Sequence, residues 1–307
     1  MNKRKAIYFF YPQAVPSIPC IDKDNCQMLL KGKCGICKKT CPRDAVDYEQ
    51  KDEVVELNVN AVVIATGFSQ FDAKTLPQYG YGKIKNVVTG LECERLLSSG
   101  GPTSGHLERL SDHKPAKKVA FLQCVGSRSV RKSSFCSSVC CMHSTKEAIL
   151  ANEHDKELES YILYTDFRAV GKGFQEYRLR AENQYNVKYI RARASDIEEA
   201  QDSSVIIRYE DGETGQKIDL VVDLAVLAMS LVPAEGTANV ANILGVELDA
   251  NGFIKTDPLC TVQSTKEGVF ACGYCQGPLD IPESVAQASG AAAKAAEFVF
   301  VKQNSTV

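Results

Sequence analysis

Thirteen cysteines constrain this 307-residue chain more than any other feature of its sequence. Five of them fall within residues 20–41 and four within residues 124–141. Disulfide scaffolds are short and poor in core, whereas 44% of this chain is apolar and its start does not read as a secretory signal. Closely spaced thiols in a chain with only four histidines are typical of iron–sulfur or zinc sites. We therefore expect bound metal rather than disulfides.

The charge balance excludes several classes of function. The formal net charge is −2, which gives no electrostatic case for binding nucleic acid or an acidic membrane surface. No run approaches the roughly 18 apolar residues that a membrane span needs. We expect a cytoplasmic α/β protein without direct membrane insertion.

Apolar runs alternate with helical patterns along most of the chain, which predicts a doubly wound parallel sheet. The turn-rich sequence EDGETG between two alternating runs predicts a β-hairpin. The segment around residues 20–48 reads as loop. The predicted strands include Ala6–Tyr11, Val119–Gln123, Tyr161–Thr165, Val205–Tyr209, Lys217–Val222 and Leu224–Met229, and the predicted helices include Cys136–His154, Phe174–Gln184 and Ile281–Phe300.

The first cysteine motif has ferredoxin spacing. Cys34-x2-Cys37-x3-Cys41-Pro follows Cys26 by eight residues, and four thiolates of this kind can hold a four-iron cluster. A structural zinc site is the alternative. In two-cluster ferredoxins the cysteine before proline ligates the other cluster, so the assignment of Cys41 stays open. Cys20 lies outside the spacing and is interpreted as an ordinary thiol.

The second cysteine group stands where a dinucleotide-binding turn would lie. The apolar strand VAFLQ runs into CVGSR, so Cys124 occupies the place of the first glycine and no G-x-G-x-x-G can be drawn. If the next helix begins at Cys136, then Cys140 lies one turn on, beside Cys141. We infer that a cluster replaces the pyridine nucleotide. Four buried structural cysteines, or a redox disulfide between the last two, are the alternatives.

Two further segments resemble the closing parts of two-dinucleotide-domain flavoproteins. They are VVIATGF at residues 62–68 and GVFACGYCQGPLDIPESVAQASGAA at residues 268–292. In that fold the ATG turn and the final strand and helix approach the flavin nucleotide. The acidic residue usual after the second glycine is absent, because Gly273 is followed by Tyr274. The contact to the ribityl chain is therefore in doubt.

Taken in order, five segments resemble the A-type subunit of heterodisulfide reductase: residues 21–50, the ATGF turn, FLQCVGSR with FCSSVCCM, TDFRAVGKG, and the closing segment above. The resemblance covers nearly the whole chain. It implies a thioredoxin-reductase-like, two-dinucleotide-domain flavoprotein fold of the Rossmann-like FAD/NAD(P)-binding superfamily, with an inserted ferredoxin-like segment. It also implies FAD and [4Fe–4S] clusters as cofactors.

The resemblance assigns roles to individual residues. Glu94 and Lys146, in GLECERL and CCMHSTK, are the candidates for catalytic side chains that tune the flavin. The expected cluster ligands are Cys26, Cys34, Cys37, Cys41, Cys124, Cys136, Cys140 and Cys141. The expected flavin-binding residues are Thr66, Gly67, Gly273, Gly277, Pro278, Ile281, Pro282 and Val285.

The same resemblance divides the chain into domains. Residues 1–54 would be part of the inserted ferredoxin-like [4Fe–4S] domain, residues 55–114 with 236–307 a partial FAD-binding domain, and residues 115–235 an NAD(P)-domain-like unit with the second cluster. The family carries a G-x-G-x-x-G flavin turn upstream, and this chain shows none. We expect a chain truncated at its amino terminus, which lacks the first FAD βαβ unit and is inactive by itself.

The function implied is that of an oxidoreductase subunit that passes electrons between FAD and clusters toward a disulfide such as the coenzyme M–coenzyme B heterodisulfide, with flavin-based electron bifurcation. The implied partners are subunits of the B and C types, a hydrogenase or formate dehydrogenase-type donor, a second copy of the full-length protein, and ferredoxin. A non-catalytic iron–sulfur scaffold and the flavoprotein subunit of the quinone-interacting sulfate-reduction complex are alternatives. An NAD(P)H-dependent disulfide reductase would need an intact nucleotide loop and a CxxC facing the flavin.

Overall fold

The computed structural model describes residues 4–10 and 14–304. The chain divides into two compact units, residues 1–58 and residues 59–307. The predicted first strand is shorter than expected, because only Ile7–Tyr8 pairs, and Tyr11 lies outside the described residues.

The first unit is small and has little core. Strands β1 (Ile7–Tyr8) and β2 (Cys20–Ile21) pair antiparallel, and helices α1 (Gln27–Lys31) and α2 (Ile36–Thr40) follow. These two short helices correct the expectation that residues 20–48 form only loop. Among its described residues, only Cys26 and Val46 are buried. Two side chains are too few for the hydrophobic effect to hold such a unit together.

The second unit contains the remaining strands and helices. Its strands are β3 (Val62–Ile64), β4 (Phe68–Gln70), β5 (Val87–Thr89), β6 (Lys118–Val125), β7 (Glu159–Tyr164), β8 (Lys188–Glu199), β9 (Val205–Asp211), β10 (Lys217–Val222), β11 (Leu224–Met229), β12 (Leu231–Pro233) and β13 (Val269–Ala271). Its α-helices are α3 (Gly90–Leu97), α4 (Cys140–His154), α5 (Phe174–Tyr185), α6 (Thr237–Leu244) and α7 (Ile281–Asn304).

A seven-stranded sheet in the order β10-β9-β8-β7-β6-β11-β5 forms the centre of this unit. The five strands from β8 to β5 are parallel, and β9 and β10 add the predicted antiparallel hairpin. Phe121, Ile162 and Val226 pack on one face against α3, α4 and α5. The opposite face packs against residues 73–84 and the hairpin instead of a second helical layer. The α/β class is confirmed, but the double winding is incomplete.

Two small sheets lie outside the large one. Strand β13 pairs parallel with β3, and β12 pairs antiparallel with β4. Ile64, Val269 and Ala271 share a core with Ala241 of α6, while Ala291 of α7 packs in a separate cluster with Phe270. No helix in the described part of the chain is long and apolar enough to cross a membrane.

Two sequence expectations need correction. The helix predicted to begin at Cys136 begins at Cys140, because residues 136–139 form an irregular segment in which Ser138 has a φ of 69°. The strand Val87–Thr89 lies in the large sheet beside β11, whereas the predicted division placed it with the FAD-binding residues 55–114. The rest of that division stays a prediction.

Candidate functional site

The second cysteine group lies at the carboxyl end of β6. Cys124 is the penultimate residue of this strand, and Cys140 and Cys141 open α4. Cys124 has a φ of 60°, a left-handed conformation that favours glycine. This geometry agrees with the interpretation that cysteine has taken the place of a turn glycine. Cys136 lies in the loop between the strand and the helix and is half-buried.

The four thiols act on one another electrostatically. Burial, together with the charges of Cys141, Cys124 and Cys136, raises the pKa of Cys140 to about 12. Burial also raises the pKa of Cys141 to about 11, while a hydrogen bond from the backbone N–H of Arg168 opposes that change. Four thiolates that repel one another in a buried place need a positive centre to be stable there. The donor set fits an iron–sulfur cluster.

Tyr274 links this cysteine group to the closing segment of the chain. Its hydroxyl donates to the carbonyl oxygen of Ser137 at 3.1 Å and lies 3.4 Å from that of Leu231. Burial, followed by the charges of Cys140 and Cys136, raises the pKa of Tyr274. The sequence offered one signal for this residue, since Tyr274 stands where an acidic residue was expected after Gly273.

The irregular segment before α4 is held by tertiary hydrogen bonds that the sequence did not reveal. The hydroxyl of Ser137 accepts from the backbone N–H of Leu231 at 2.9 Å and lies 3.4 Å from the hydroxyl of Ser230. The sulfur of Cys140 lies 3.6 Å from the carbonyl oxygen of Met229. The loop carrying Cys136 is therefore fixed against the end of β11 and the start of β12.

The predicted flavin segments come together at the ends of two paired strands. The ATG turn follows β3 and Gly273 follows β13, and these strands are parallel neighbours. The backbone N–H of Cys272 donates to the carbonyl of Ile64 at 3.0 Å, and the hydroxyls of Thr66 and Thr237 lie 3.1 Å apart. A Cβ atom on Gly67 would meet nothing within 4 Å, so open space lies beside this turn.

The start of α7 exposes apolar side chains close to Gly273, since a Cβ atom on Gly273 would lie 3.6 Å from Ser284 Oγ. Ile281 is 80% exposed and Val285 is 61% exposed, while Asp280 and Glu283 cap the helix through reciprocal hydrogen bonds of 2.9 and 2.8 Å. Gly277 and Pro278 are partly exposed, and Pro282 is exposed. Exposed apolar side chains beside open backbone are typical of a surface that a ligand covers. These residues fit one wall of a flavin site.

Glu94 and Lys146 meet in a charged cluster between α3 and α4. The Lys146 Nζ lies 2.5 Å from Glu94 Oε2, and His143 Nε2 lies 3.0 Å from the same oxygen. Hydrogen bonds with His143 and Lys146 and their charges lower the pKa of Glu94 to about 2, although partial burial opposes them. The predicted pair is therefore brought together, but as a cluster that already balances its own charge.

Glu147 is the member of this cluster that the sequence did not single out. Its side chain is fully buried, and Oε1 lies 3.6 Å from His143 Nε2. Within the described residues, neither carboxylate oxygen has a hydrogen-bond partner. Burial, followed by the charge of Glu94, raises the pKa of Glu147 well above its usual range, and Lys146 opposes that change. Burial therefore favours the neutral form of this carboxyl group.

The first cysteine motif lies within the small unit. Cys26 precedes α1 and is buried, Cys37 lies on α2, and Cys34 is exposed. Burial and the charges of Cys37, Cys26 and Cys34 raise the pKa of Tyr48, while a hydrogen bond from the backbone of Lys38 opposes that change.

The two other cysteines of this unit differ in their surroundings. The sulfur of Cys41 accepts from the backbone N–H of Ala45 at 3.4 Å, an interaction that also stabilises thiolates in metal sites. Cys20 lies in β2, where its sulfur is 3.8 Å from the carbonyl oxygen of Ile18.

Known proteins similar to this chain are named as A subunits of heterodisulfide reductases. The chain is 42% identical over 296 residues to the iron–sulfur A subunit of CoB–CoM heterodisulfide reductase from Methanocaldococcus jannaschii, covering 95% of this chain and 44% of that one. It is 41% identical over 295 residues to the A subunit of H2:CoB–CoM heterodisulfide, ferredoxin reductase from Methanothermobacter thermautotrophicus, with the same coverages. The resemblance to the A-type subunit of heterodisulfide reductase is confirmed. The chain spans less than half the length of these relatives.

Thioredoxin reductases are among the solved structures that match part of this chain. The T. acidophilum enzyme matches with a TM-score of 0.48 at 17% identity, covering 79% of this chain and 66% of that one. The Lactococcus lactis enzyme matches with a TM-score of 0.49 at 19% identity, covering 78% and 66%. No protein-family model matches the chain.

Proposed function

We propose that residues 1–307 form the part of an electron-transfer subunit that carries [4Fe–4S] clusters and one wall of an FAD site, in a complex of the heterodisulfide reductase type. One observation carries this proposal. Tyr274, which directly follows the flavin-side Gly273, is hydrogen-bonded to Ser137, which lies in the loop between Cys136 and Cys140. The cysteine group and the flavin wall are thus joined through a single side chain.

Cys124, Cys136, Cys140 and Cys141 would hold the second cluster, which supplies one-electron storage when bound. Backbone groups of this chain already form hydrogen bonds with the cysteines of this proposed cluster site. The backbone N–H of Ser138 donates to the sulfur of Cys136 at 3.4 Å, and hydrogen bonds to ligand sulfurs tune the potential of such sites. NAD(P)H should not bind here, because the side chain of Cys124 occupies the place where glycine would admit a phosphate.

Cys26, Cys34, Cys37 and Cys41 would hold the first cluster. The charges of three of them, Cys26, Cys34 and Cys37, raise the pKa of the same residue, Tyr48, which supports the grouping. Cys41 directly follows α2, and this position supports it as the fourth ligand. The alternative, in which Cys41 ligates a different cluster of the parent protein, stays part of the proposal.

Thr66, Gly67, Gly273, Gly277, Pro278, Ile281, Pro282 and Val285 would line the flavin. Within these 307 residues no G-x-G-x-x-G turn supplies the backbone N–H groups that hold a pyrophosphate. The described chain should therefore bind FAD weakly by itself and should not reduce a disulfide. Glu94 and Lys146 are proposed to tune the flavin, as a nearby cation stabilises reduced anionic flavin and a carboxylate opposes it.

The complete activity belongs to the assembled complex. We propose as its partners subunits of the B and C types, a hydrogenase or formate dehydrogenase-type donor, a second copy of the full-length protein, and ferredoxin. The names of the relatives support disulfide reduction as the reaction. Flavin-based electron bifurcation remains the finer part of this proposal.

A non-catalytic iron–sulfur scaffold is the second candidate, and the absence of a pyrophosphate turn from the sequence favours it. Flavin absorbance of the anaerobically purified chain separates the two functions. The electron-transfer proposal predicts little flavin alone and FAD binding after addition of a separately expressed amino-terminal portion of one of the relatives. Failure of that mixture to bind FAD would favour the scaffold. A chain that purifies yellow with stoichiometric FAD and reduces a disulfide would contradict the expected dependence on that portion.

A further inference from the structure

Three side chains of the charged cluster between α3 and α4 bring ligand atoms to one place. Glu94 lies on α3, and His143 and Glu147 lie one turn apart on α4. One carboxylate oxygen or ring nitrogen from each residue lies within 4.8 Å of the other two. Two carboxylates and an imidazole are a ligand set that binds divalent transition-metal ions in proteins.

The separations between these atoms match the spacing of ligands around a bound ion. His143 Nε2 lies 3.0 Å from Glu94 Oε2 and 3.6 Å from Glu147 Oε1. Metal–ligand bonds of about 2.0–2.2 Å place neighbouring ligand atoms roughly 3 to 3.5 Å apart. An ion therefore fits among the three atoms after small rotations of the carboxylate groups.

Glu147 supplies a second observation that is independent of this clustering. Its side chain is fully buried, and within the described residues neither of its oxygens has a hydrogen-bond partner. The 3.6 Å between Glu147 Oε1 and His143 Nε2 is too long for a hydrogen bond. Because a buried carboxyl group without a partner costs free energy, a divalent ion at this place would supply the missing partner.

The start of α3 lies close to this carboxyl group because the helix begins with a glycine. A Cβ atom on Gly90 would lie 3.3 Å from His143 Cε1 and 3.9 Å from Glu147 Oε2. The reciprocal hydrogen bonds of Thr89 and Glu92 fix this end of the helix. Glycine therefore leaves room beside the imidazole ring and the buried carboxyl group.

Lys146 contacts one of the same ligand atoms. Its Nζ lies 2.5 Å from Glu94 Oε2, and its side chain is 38% exposed. A long lysine side chain with this exposure is able to turn its ammonium group into water. Lys146 and a bound ion would therefore compete for Glu94.

We propose that Glu94, His143 and Glu147 form a site for one divalent transition-metal ion that ties α3 to α4. The ion would neutralise the two carboxylates. Water would complete its coordination on the open side, where the side chains of Glu94 and His143 are 44% and 31% exposed. The inference depends neither on a bound flavin nor on a cluster, so it goes beyond the proposed function.

The test titrates Mn²⁺ into the anaerobically reconstituted chain and follows the EPR signal of the free ion. Mn²⁺ is the probe because it prefers oxygen ligands to thiolates, whereas Zn²⁺ would also bind the cysteines. The unmodified chain should bind a single Mn²⁺ ion. Glu147→Gln should weaken this binding about tenfold or more, because it removes a charged ligand.

Lys146→Met should have an effect of the opposite sign. It removes the competitor for Glu94 and should strengthen Mn²⁺ binding by up to about fivefold, which corresponds to the free energy of an exposed ion pair. A purely structural cluster would show no such gain. Because Lys146 is partly exposed, this variant also tests the site if Glu147→Gln does not fold.

The matched control is Glu153→Gln, which removes a carboxylate from the same helix outside the cluster. Its side chain is 41% exposed and lies 3.9 Å from Arg180. This variant should bind Mn²⁺ as the unmodified chain does. Equal weakening in both Gln variants would show general attraction by surface charge and overturn the proposal. Absence of Mn²⁺ binding, or a Lys146→Met variant that binds no more tightly, would overturn it as well.

Iron analysis of the same samples separates this inference from the proposed function. Clusters that are retained in a chain that does not bind Mn²⁺ would make this inference alone wrong. Mn²⁺ binding by a reconstituted chain that retains no iron would make the proposed function alone wrong.

Discussion

The two cysteine regions of this molecule differ in how much packed structure supports the thiols. In the described part of the first unit only Cys26 and Val46 are buried, and Cys26, Cys34 and Cys37 lie on or beside two short helices. In the second unit, Cys124 and Cys140 are attached to a seven-stranded sheet with packed side chains on both faces. We therefore expect the first region to need a bound metal in order to fold, whereas the second would offer a cluster a scaffold that is already folded.

Removal of metal should show the difference in folding between the two cysteine regions most clearly. Chelation of iron should unfold the first unit, because structural metal sites contribute on the order of 10 kcal/mol to such small folds. Hydrogen exchange at residues 26–48 should then lose at least about 100-fold protection, whereas the strand β6 should keep its protection. Equal loss in both regions would mean that the large sheet also needs its metal.

A single ligand change in the second region should remove metal without unfolding. Cys140→Ala should abolish the binding of one cluster. The melting temperature of the metal-free protein should fall only slightly, by about 2–4 °C for each kcal/mol of unfolding free energy that the substitution removes. The control is Cys93→Ala, which removes a fully buried thiol of α3 that we assign to no cluster. Iron content should be unchanged in the control, and an equal loss of iron in both variants would refute the assignment of Cys140.

The raised pKa of Glu147 should make the stability of the second unit depend on pH. Its pKa is raised above the ordinary value of 4.5, so the unfolded chain releases the proton first and stability falls as pH rises above that value. The slope should reach at most about 1.4 kcal/mol per pH unit. Glu147→Gln should remove this slope, so that its melting temperature exceeds that of the unmodified chain by a margin that grows from pH 5 to pH 7.

Glu213→Gln, on the exposed turn of the hairpin, is the control for this experiment. Its melting temperature should follow the unmodified chain at every pH. Parallel curves for Glu147→Gln and the unmodified chain would show that the buried carboxyl does not titrate in this range.

The smallest expected effect concerns the flavin in the assembled complex. Lys146→Met and Glu94→Gln should shift the flavin potentials in opposite directions, because one removes a cation and the other an anion. Spectroelectrochemical titration measures both. Unchanged potentials in both variants would leave the pair as a surface ion pair that stabilises α3 against α4.

The sequence predicted the elements whose signal is local. The strand Leu224–Met229 and the hairpin around EDGETG are confirmed, because apolar runs and turn residues depend on neighbours in the chain. The start of α4 was wrong, because Ser137 is held by Leu231, which lies 94 residues away. The ferredoxin spacing likewise pointed to Cys26, Cys34 and Cys37 without reference to the fold.

The charged cluster shows where sequence reasoning stops. His143 and Glu147 have the i, i+4 spacing of one helical face, which was visible in the sequence. Their meeting with Glu94 depends on the packing of α3 against α4, which no local pattern encodes. The burial of Glu147 could be found only in the fold.

The central claim is that the second cysteine group holds a cluster on a scaffold that is already folded. The most direct test is iron and acid-labile sulfide, measured anaerobically in the variant C26A/C34A/C37A/C41A. Our account predicts about four iron and four sulfide per chain in this variant, bound by the cysteines at the end of β6. A variant that is folded but holds neither iron nor sulfide would contradict the account.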